Sequence, residues 1–261
     1  MEFKPCYTWP NPAFHFRLYF NHDSCRIFII ENIAHNWKWL SLYADRIKPT
    51  DYFLVQLGWY FDDWLADESR RALEAAGLDK SRFIILYADY PSKQIFEELG
   101  FSGSIVNHNC FLDYDKFKVI DAPKKYDAIY TARFSPFKRH YLCSQVNNLA
   151  LVAGNAWGQE IDEIPPHSYL NEAPLSPDEV VLKINESKCG LILSEFEGAC
   201  YSSSEYLLSG IPVVSTWSHG GRDIWYNSYN SVICDASPVE IASSVKKMCN
   251  QPRDPIRIRQ M

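Results

Sequence analysis

The chain of 261 residues is 47% hydrophobic, 15% aromatic and 22% charged, with a net charge of −6. That length builds one large domain or two modest ones with ample core, and the composition is that of an ordered protein. The acidic balance argues against non-specific binding to nucleic acid or anionic membrane, and no window approaches the roughly 18 uninterrupted apolar residues of a membrane span.

The opening residues, MEFKPCYTWPNP, lack the basic-then-apolar layout of a signal peptide. Next, HFRLYF, RIFII, YFLVQLG, FIILYA and SIVNHN predict strands, and NWKWLSLYADRI, DDWLADESRRALEAAG and PSKQIFEELG predict helices between them. The first of these helices carries Trp37, Trp39, Leu40 and Tyr43 beside Lys38, Arg46 and Lys48, which suits a core-facing amphipathic helix or one lying on a bilayer. DKFKVIDAPKK, Asp115–Lys125, is polar, carries a proline and reads as a linker. A boundary near residue 120 therefore gives an N-terminal half of residues 1–120 and a C-terminal half of residues 121–261.

The second half is easier to parse. YDAIYTA predicts a strand, RFSPFKRHYLCSQVNNL a proline-bearing loop running into a helix, and ALVAGN a further strand. After the polar stretch Trp157–Leu175, SPDEVVLKINESK starts a helix with Ser176 as N-cap, Pro177 in the first turn and Glu179 completing a capping box. CGLILS is a buried-strand run, SSSEYLLSG a short helix stopped by Gly210 and Pro212, IPVVST another strand and SPVEIASSVKKM a closing helix. Strands alternating with helices predict an α/β fold with parallel sheets and two Rossmann-like halves. The eight cysteines are scattered with no C-x-x-C pair, which reads as reduced thiols in a cytoplasmic protein, with neither a zinc site nor a disulfide framework.

Four features of the C-terminal half fall at predicted strand ends, where open α/β sheets bind ligands. Arg133 and Lys138, in ARFSPFKR, are two cations suited to an anion such as a diphosphate, although a solvated basic loop would also explain them. SEFEGA places Glu197 and Gly198 after a strand; the bland alternative for Glu197 is a loop charge. The helix near Ser202–Ser204 offers N–H groups to a phosphate, and Glu205 in its first turn suits ribose hydroxyls or, structurally, a capping box with Ser202. SHGGRD adds Gly220 and Gly221 in a turn after a strand.

Together these features resemble the retaining GT-B glycosyltransferases of the large group 1 (family 4-like) family. That family carries an Arg and a Lys five positions apart after the first strand of its C-terminal domain. A Glu, seven residues, Glu motif follows, then Gly-x-Pro-Val-Val and a Gly-Gly loop. Here the matches are Arg133 and Lys138, Glu197 and Glu205, SGIPVVST, and Gly220–Gly221; GSIVNHNCFLDYDKF is similar to the end of the family's N-terminal domain. The resemblance is specific over about residues 103–249 and faint before them. It implies a GT-B fold, two Rossmann-like domains facing a cleft with the N-terminal one reduced. It also implies retaining transfer from a nucleotide-diphosphate sugar to a glycan, lipid-linked or small-molecule acceptor, without metal or other cofactor. By the same resemblance Arg133, Lys138 and Glu197 are catalytic. The first two hold the diphosphate and its departing charge, and Glu197 contacts the donor sugar. Glu205 holds the ribose, and Gly198, Ala199, Gly220 and Gly221 line the donor pocket. Peripheral contact with the inner face of a membrane also occurs in that family.

The chain departs from the family in places. GACYSSS stands where GFG is common, so Ala199 and Cys200 reshape the sugar subsite, with Cys200 read as a small packing residue. The N-terminal half is short and lacks a glycine-rich loop after its first strand. His15, His22, His35, His108, Gly58, Asp62 and Asp63 are available there, but no local motif selects one. The ending NQPRDPIRIRQM reads as short and proline-broken, which implies a compact variant or an incomplete chain. The competing readings are a non-catalytic nucleotide-sugar binding module or partner subunit, and a sugar-nucleotide epimerase or hydrolase. A DNA-modifying transferase is disfavoured by the acidic composition.

Overall fold

The structure is a computed structural model that describes residues 6–9, 14–31, 37–60, 62–154 and 163–261. His35 and the first part of the polar stretch Trp157–Leu175, residues 157–162, lie outside them. The chain divides into two compact units, Met1–Cys110 and Phe111–Met261.

The first unit holds one sheet in chain order: β1 (Cys6–Trp9), β2 (Phe14–His22), β3 (Cys25–Glu31), β4 (Asp51–Gln56), β5 (Phe83–Tyr87) and β6 (Ser102–Ile105). The first three pair antiparallel, and β3 to β6 run parallel. Alternate residues Phe53 and Val55 of β4, and Phe83 and Ile85 of β5, are buried, as the two-residue period of a strand requires. Phe28, Phe53 and Phe83 stack across the strands with ring centroids 5.2 and 4.5 Å apart. The parallel crossovers contain α1 (Lys38–Tyr43), α2 (Asp63–Ala75) and α3 (Tyr90–Glu98). Asp62 and Asp89 cap the last two through Leu65 N at 2.9 Å and Ser92 N at 2.7 Å, so Asp62 has a structural task. Trp37, Leu40 and Tyr43 are buried in the core, which places this face of the α1 region inward, away from any bilayer. No helix of the described residues is long and apolar enough to cross a membrane.

The second unit holds β7 (Tyr126–Thr131), β8 (Leu149–Val152), β9 (Tyr169–Leu170), β10 (Ser187–Ile192), β11 (Val213–Thr216) and β12 (Ser231–Cys234), all parallel, in the order β12-β11-β10-β7-β8-β9. The chain starts at the centre with β7, winds outward to β9, returns to the other edge of β7 and winds outward again to β12. Neighbouring loops after β7 and β10 therefore leave in opposite directions and open a crevice at the carboxyl ends of those two strands.

Helices α4 (Pro177–Asn185), α5 (Tyr201–Leu208), α6 (Pro238–Asn250) and α7 (Pro255–Gln260) cover the sheet. One face packs Tyr130, Leu151, Leu191 and Val214 under Ile241, Val245 and Met248 of α6. The other packs Ile129, Ala150, Ile192 and Val213 under Ile184 of α4, Tyr206 of α5 and Ile258 of α7. Helix α4 starts with the Ser176–Glu179 capping box expected from its sequence. Gly190 of β10 lies directly beneath Tyr206, where a Cβ would run into the ring, so only glycine lets α5 sit this low on the sheet.

Three segments differ from the sequence expectation. RFSPFKRHYLCSQVNNL forms two 3-10 turns, Pro136–Lys138 and His140–Cys143, where a helix was expected; Arg139 between them takes a left-handed φ of 52°, which no α-helix continues through. The polar segment Asp115–Lys125 lies in the second unit, where Ile120 N donates to Asn185 Oδ1 at 3.0 Å and Lys124 Nζ to the carbonyls of Asn185 and Ser187 at 2.7 and 2.8 Å. The ending is an ordered helix: Pro255 occupies its first turn, Asp254 caps it through Ile256 N at 2.9 Å, and α7 packs on α5. Arg259 of that helix donates to the carbonyls of Phe117 and Tyr114 at 2.5 and 2.6 Å and to that of Leu208.

Candidate active site

The crevice between β7 and β10 gathers the sequence-predicted residues on loops that hydrogen bonds lace together. The β7 loop meets the β10 loop through Glu195 N donating to Phe137 O at 3.3 Å. The β10 loop meets the β11 loop through Glu197 N donating to His219 O and His219 N to Glu195 O, both at 3.0 Å. Helix α5 is tied to the end of β7 twice, by Ser202 Oγ donating to Thr131 O at 3.0 Å and by Thr131 N donating to the Tyr206 hydroxyl at 2.7 Å. Three loops and a helix start are thus fixed relative to one another before any ligand arrives.

Lys138 and Glu197 form an ion pair at the centre of this frame, with side chains 15% and 7% exposed. The buried Tyr130 hydroxyl donates to Lys138 O at 2.6 Å; burial raises that phenol well above its ordinary pKa, so it stays a donor. Arg133 is exposed, and its guanidinium carbon lies 5.2 Å from the Phe137 ring centroid, while Lys138 Nζ lies 5.1 Å from the same ring. One aromatic side chain therefore lies within cation–π reach of both charges. His140 behind them is buried near Tyr130 and Phe134, with centroids 4.7 and 5.0 Å away, and burial first, then Lys138, push it down to about 4.

Gly198 and Ala199 are buried in the β10 loop. Cys200 follows with a left-handed φ of 53° and ψ of 92°, a strained position for a residue with a Cβ, and starts α5 with no capping bond from its thiol. Burial raises that thiol to about 11, which keeps it protonated and unsuited to nucleophilic attack. Ser202 bonds the β7 carbonyl, so the capping box with Glu205 does not form. Glu205 is half-buried, and burial pushes its carboxyl up to about 7. Gly220 takes a φ of 102° in the β11 loop, open to glycine alone, and Gly221 beside it is buried. Among the described residues no group of three or more His, Cys, Asp or Glu converges as a metal site would require.

Arg222, directly after that turn, is the residue sequence reasoning missed. It is fully buried, and its guanidinium donates to the carbonyls of Ser194 and Thr216, to Ser194 Oγ at 2.9 Å and to Thr216 Oγ1 at 3.3 Å. Arg139 joins the same cluster, donating to Leu193 O at 2.6 Å and to Thr216 Oγ1 at 2.7 Å. Two guanidiniums thus clamp the carboxyl ends of β10 and β11 behind the loops. Arg222→Ala should lower stability by roughly 2–6 kcal/mol, since two buried carbonyls lose their donor at about 1–3 kcal/mol each. Urea unfolding of the variant against wild type measures this.

No protein-family model matches the chain, and no curated protein matches it. Solved structures do. HepE from Anabaena, in complex with UDP and glucose, superposes with a TM-score of 0.58 at 13% identity over 89% of this chain and 75% of that one. Sucrose-phosphate synthase from Thermosynechococcus elongatus gives 0.61 at 11% identity, covering 89% of this chain and 66% of that one. The α,α-trehalose 6-phosphate synthase of Burkholderia multivorans gives 0.60 at 10% identity, covering 92% and 65%. The chain has the GT-B glycosyltransferase fold.

Within the GT-B fold, Lys138 and Glu197 touch each other, and Arg133 shares Phe137 with Lys138. Gly198 and Ala199 lead from Glu197 into α5, which carries Glu205, and Gly220–Gly221 follow the β11 loop hydrogen-bonded to Glu197.

Proposed function

We propose that the chain is a glycosyltransferase that moves a sugar from a nucleoside-diphosphate sugar to an acceptor with retention of configuration and without a metal ion. The observation that carries this reading is the convergence of Lys138, Glu197 and the start of α5 at the strand-order reversal of the second sheet. Structures of the same fold in complex with UDP, with UDP and glucose and with UDP-glucose support it.

In this reading Arg133 and Lys138 meet the diphosphate, where negative charge grows as the sugar–oxygen bond breaks. Fixed cations and a helix start stabilise that charge without reorganisation at the moment of reaction. Glu197 holds Lys138 in place before the donor binds and accepts hydroxyl hydrogen bonds from the donor sugar. Glu205, with no hydrogen bond from a neighbouring side chain among the described residues, accepts those of the ribose. Gly198, Ala199, Gly220 and Gly221 give the sugar and phosphates close access to backbone.

A thermal-shift panel of UDP, GDP, ADP, TDP and CMP on wild type and Arg133→Ala tests the donor site. One diphosphate should raise the wild-type melting temperature by several degrees, since a ligand at about 100 times its Kd adds ~2.7 kcal/mol, and the variant should lose most of that shift. Transfer from the matching nucleotide sugar to water or added acceptors then separates an enzyme from a binding module. No shift with any nucleotide would overturn the proposal.

A further inference from the structure

Two thiols meet at the end of the second sheet opposite the candidate active site. Cys189 lies near the start of β10 and Cys249 near the end of α6. Both approach one carbonyl oxygen, that of Asp127, with sulfur–oxygen distances of 3.3 and 3.5 Å, which brings the two thiols side by side. Both are free cysteines. Sixty positions apart in sequence, they are brought together because α6 packs its last turns across β10.

Their surroundings differ in a way that divides the chemistry. Cys189 is fully buried. Cys249 is half-buried and lines an open groove of about 610 Å³ whose wall includes Asp127, Lys188, Lys246 and Asn250. Lys188 is paired with Asp127 at 2.7 Å, which fixes an ammonium and a carboxylate together beside the thiols. The neighbouring Cys189 thiol holds Cys249 below its ordinary range, against the effects of burial and of the Asp127 carboxylate, and Cys249, then burial, raises Cys189. A partly exposed thiol facing a groove, with a second, buried thiol held at the same carbonyl, is the arrangement of a redox-responsive cysteine and its resolving partner.

We propose that Cys249 and Cys189 form a peroxide-responsive pair, Cys249 reacting first and Cys189 closing an intramolecular disulfide. The Cys249 thiolate attacks a peroxide oxygen; the S–O bond forms, the O–O bond breaks, and the departing hydroxide takes up a proton as water. The Cys189 sulfur then attacks the resulting sulfenic acid. The S–S bond forms, the S–O bond breaks, and the hydroxyl leaves as water with the Cys189 proton. Two thiols are oxidised and one peroxide is reduced to two waters, and a dithiol reverses the change by exchange. The bond would tie the end of α6 to a central strand and close a loop of about sixty residues, which stabilises the oxidised chain.

Hydrogen peroxide titration of the full chain, followed by alkylation, digestion and mass spectrometry, tests this. A Cys189–Cys249 peptide pair lighter by two hydrogens should appear before Cys110, which is exposed, loses its alkylation, and dithiothreitol should abolish it. The oxidised chain should melt at a higher temperature than the reduced one. In Cys189→Ala, dimedone should label Cys249; in Cys249→Ala, Cys189 should stay unlabelled. Oxidation of Cys110 ahead of the pair, a cross-link from Cys249 to any other cysteine, or dimedone on Cys189 in the Cys249→Ala chain would overturn the proposal.

Discussion

Lys138→Ala should weaken binding of a nucleoside diphosphate by about 10- to 100-fold, the equivalent of one charge-assisted hydrogen bond at roughly 1.5–3 kcal/mol, and leave binding of the bare nucleoside unchanged. Transfer should fall further, by about 10²- to 10³-fold, if Lys138 also meets charge that grows only as the leaving group departs. Calorimetric titration of the stabilising nucleoside diphosphate and its bare nucleoside against both proteins separates the two contributions. Equal losses for diphosphate and nucleoside would mean that the loop after β7 had collapsed and that Lys138 has no phosphate role.

The ion pair with Glu197 makes a second variant necessary. Glu197 is 7% exposed, and removing Lys138 leaves its carboxylate buried beside no counter-ion. That desolvation lowers stability by itself and could reshape the loop. Glu197→Gln combined with Lys138→Ala replaces the stranded charge by a neutral amide of the same size. The double variant should recover most of the stability lost by Lys138→Ala and none of the diphosphate affinity. Recovery of both would assign Lys138 to the frame of the loop alone.

The fold of the second unit was legible because its central strands are continuous apolar runs ended by glycine, proline or polar residues. The runs CGLILS and IPVVST, which supply most of β10 and β11, stand out in that way, and the Ser176–Glu179 box marks a helix start without reference to the rest of the chain. The candidate site was read by a related route: in a parallel sheet the chemistry collects just after such runs, which put Arg133, Lys138 and Glu197 in the loops where they stand, whereas Glu205, expected in the first turn of its helix, lies in the second because α5 already starts at Tyr201. What failed depended on distant partners. The two-residue strand Tyr169–Leu170 has no periodicity and exists through pairing with Ala150 and Leu151. The helix expected after Arg133 is stopped by one left-handed residue, Arg139, whose guanidinium is held by Leu193 and Thr216 more than fifty positions away. Arg222 follows a glycine turn with no local signal of burial, which comes only from the strand-end carbonyls that β10 and β11 present together. Helix α7 was hidden by prolines that break a helix in its interior and begin one at its first turn.

Glu205→Gln should make the ligand-free protein more stable at pH 8 while impairing ribose recognition. Burial raises the Glu205 carboxyl from 4.5 to about 7 in the folded chain. The folded state therefore holds a proton that the unfolded state has released between those two values. Stability contributed by that proton is full below about pH 4.5 and is lost as pH rises through about 7. At about 1.4 kcal/mol per pH unit the interval amounts to roughly 3–4 kcal/mol, part of which water at a half-buried carboxylate recovers. A glutamine at this position has no ionisation to oppose, so the variant should gain stability over wild type at pH 8 and match it near pH 4, as urea unfolding at the two values will show. A capping residue would behave in the opposite way, because its replacement weakens the helix start at every pH above its pKa. Ligand binding should move against stability. Wild type should bind the nucleoside diphosphate that stabilises it more tightly than that ligand's 2′- and 3′-deoxy analogues, and should lose that preference as pH falls below about 7 and the carboxylate takes up its proton. Glu205→Gln should show little preference at any pH. If the variant is more stable yet still discriminates ribose from its deoxy forms, the buried charge serves some other ligand and the ribose assignment fails; if it is less stable at both pH values, Glu205 belongs to the framework of α5.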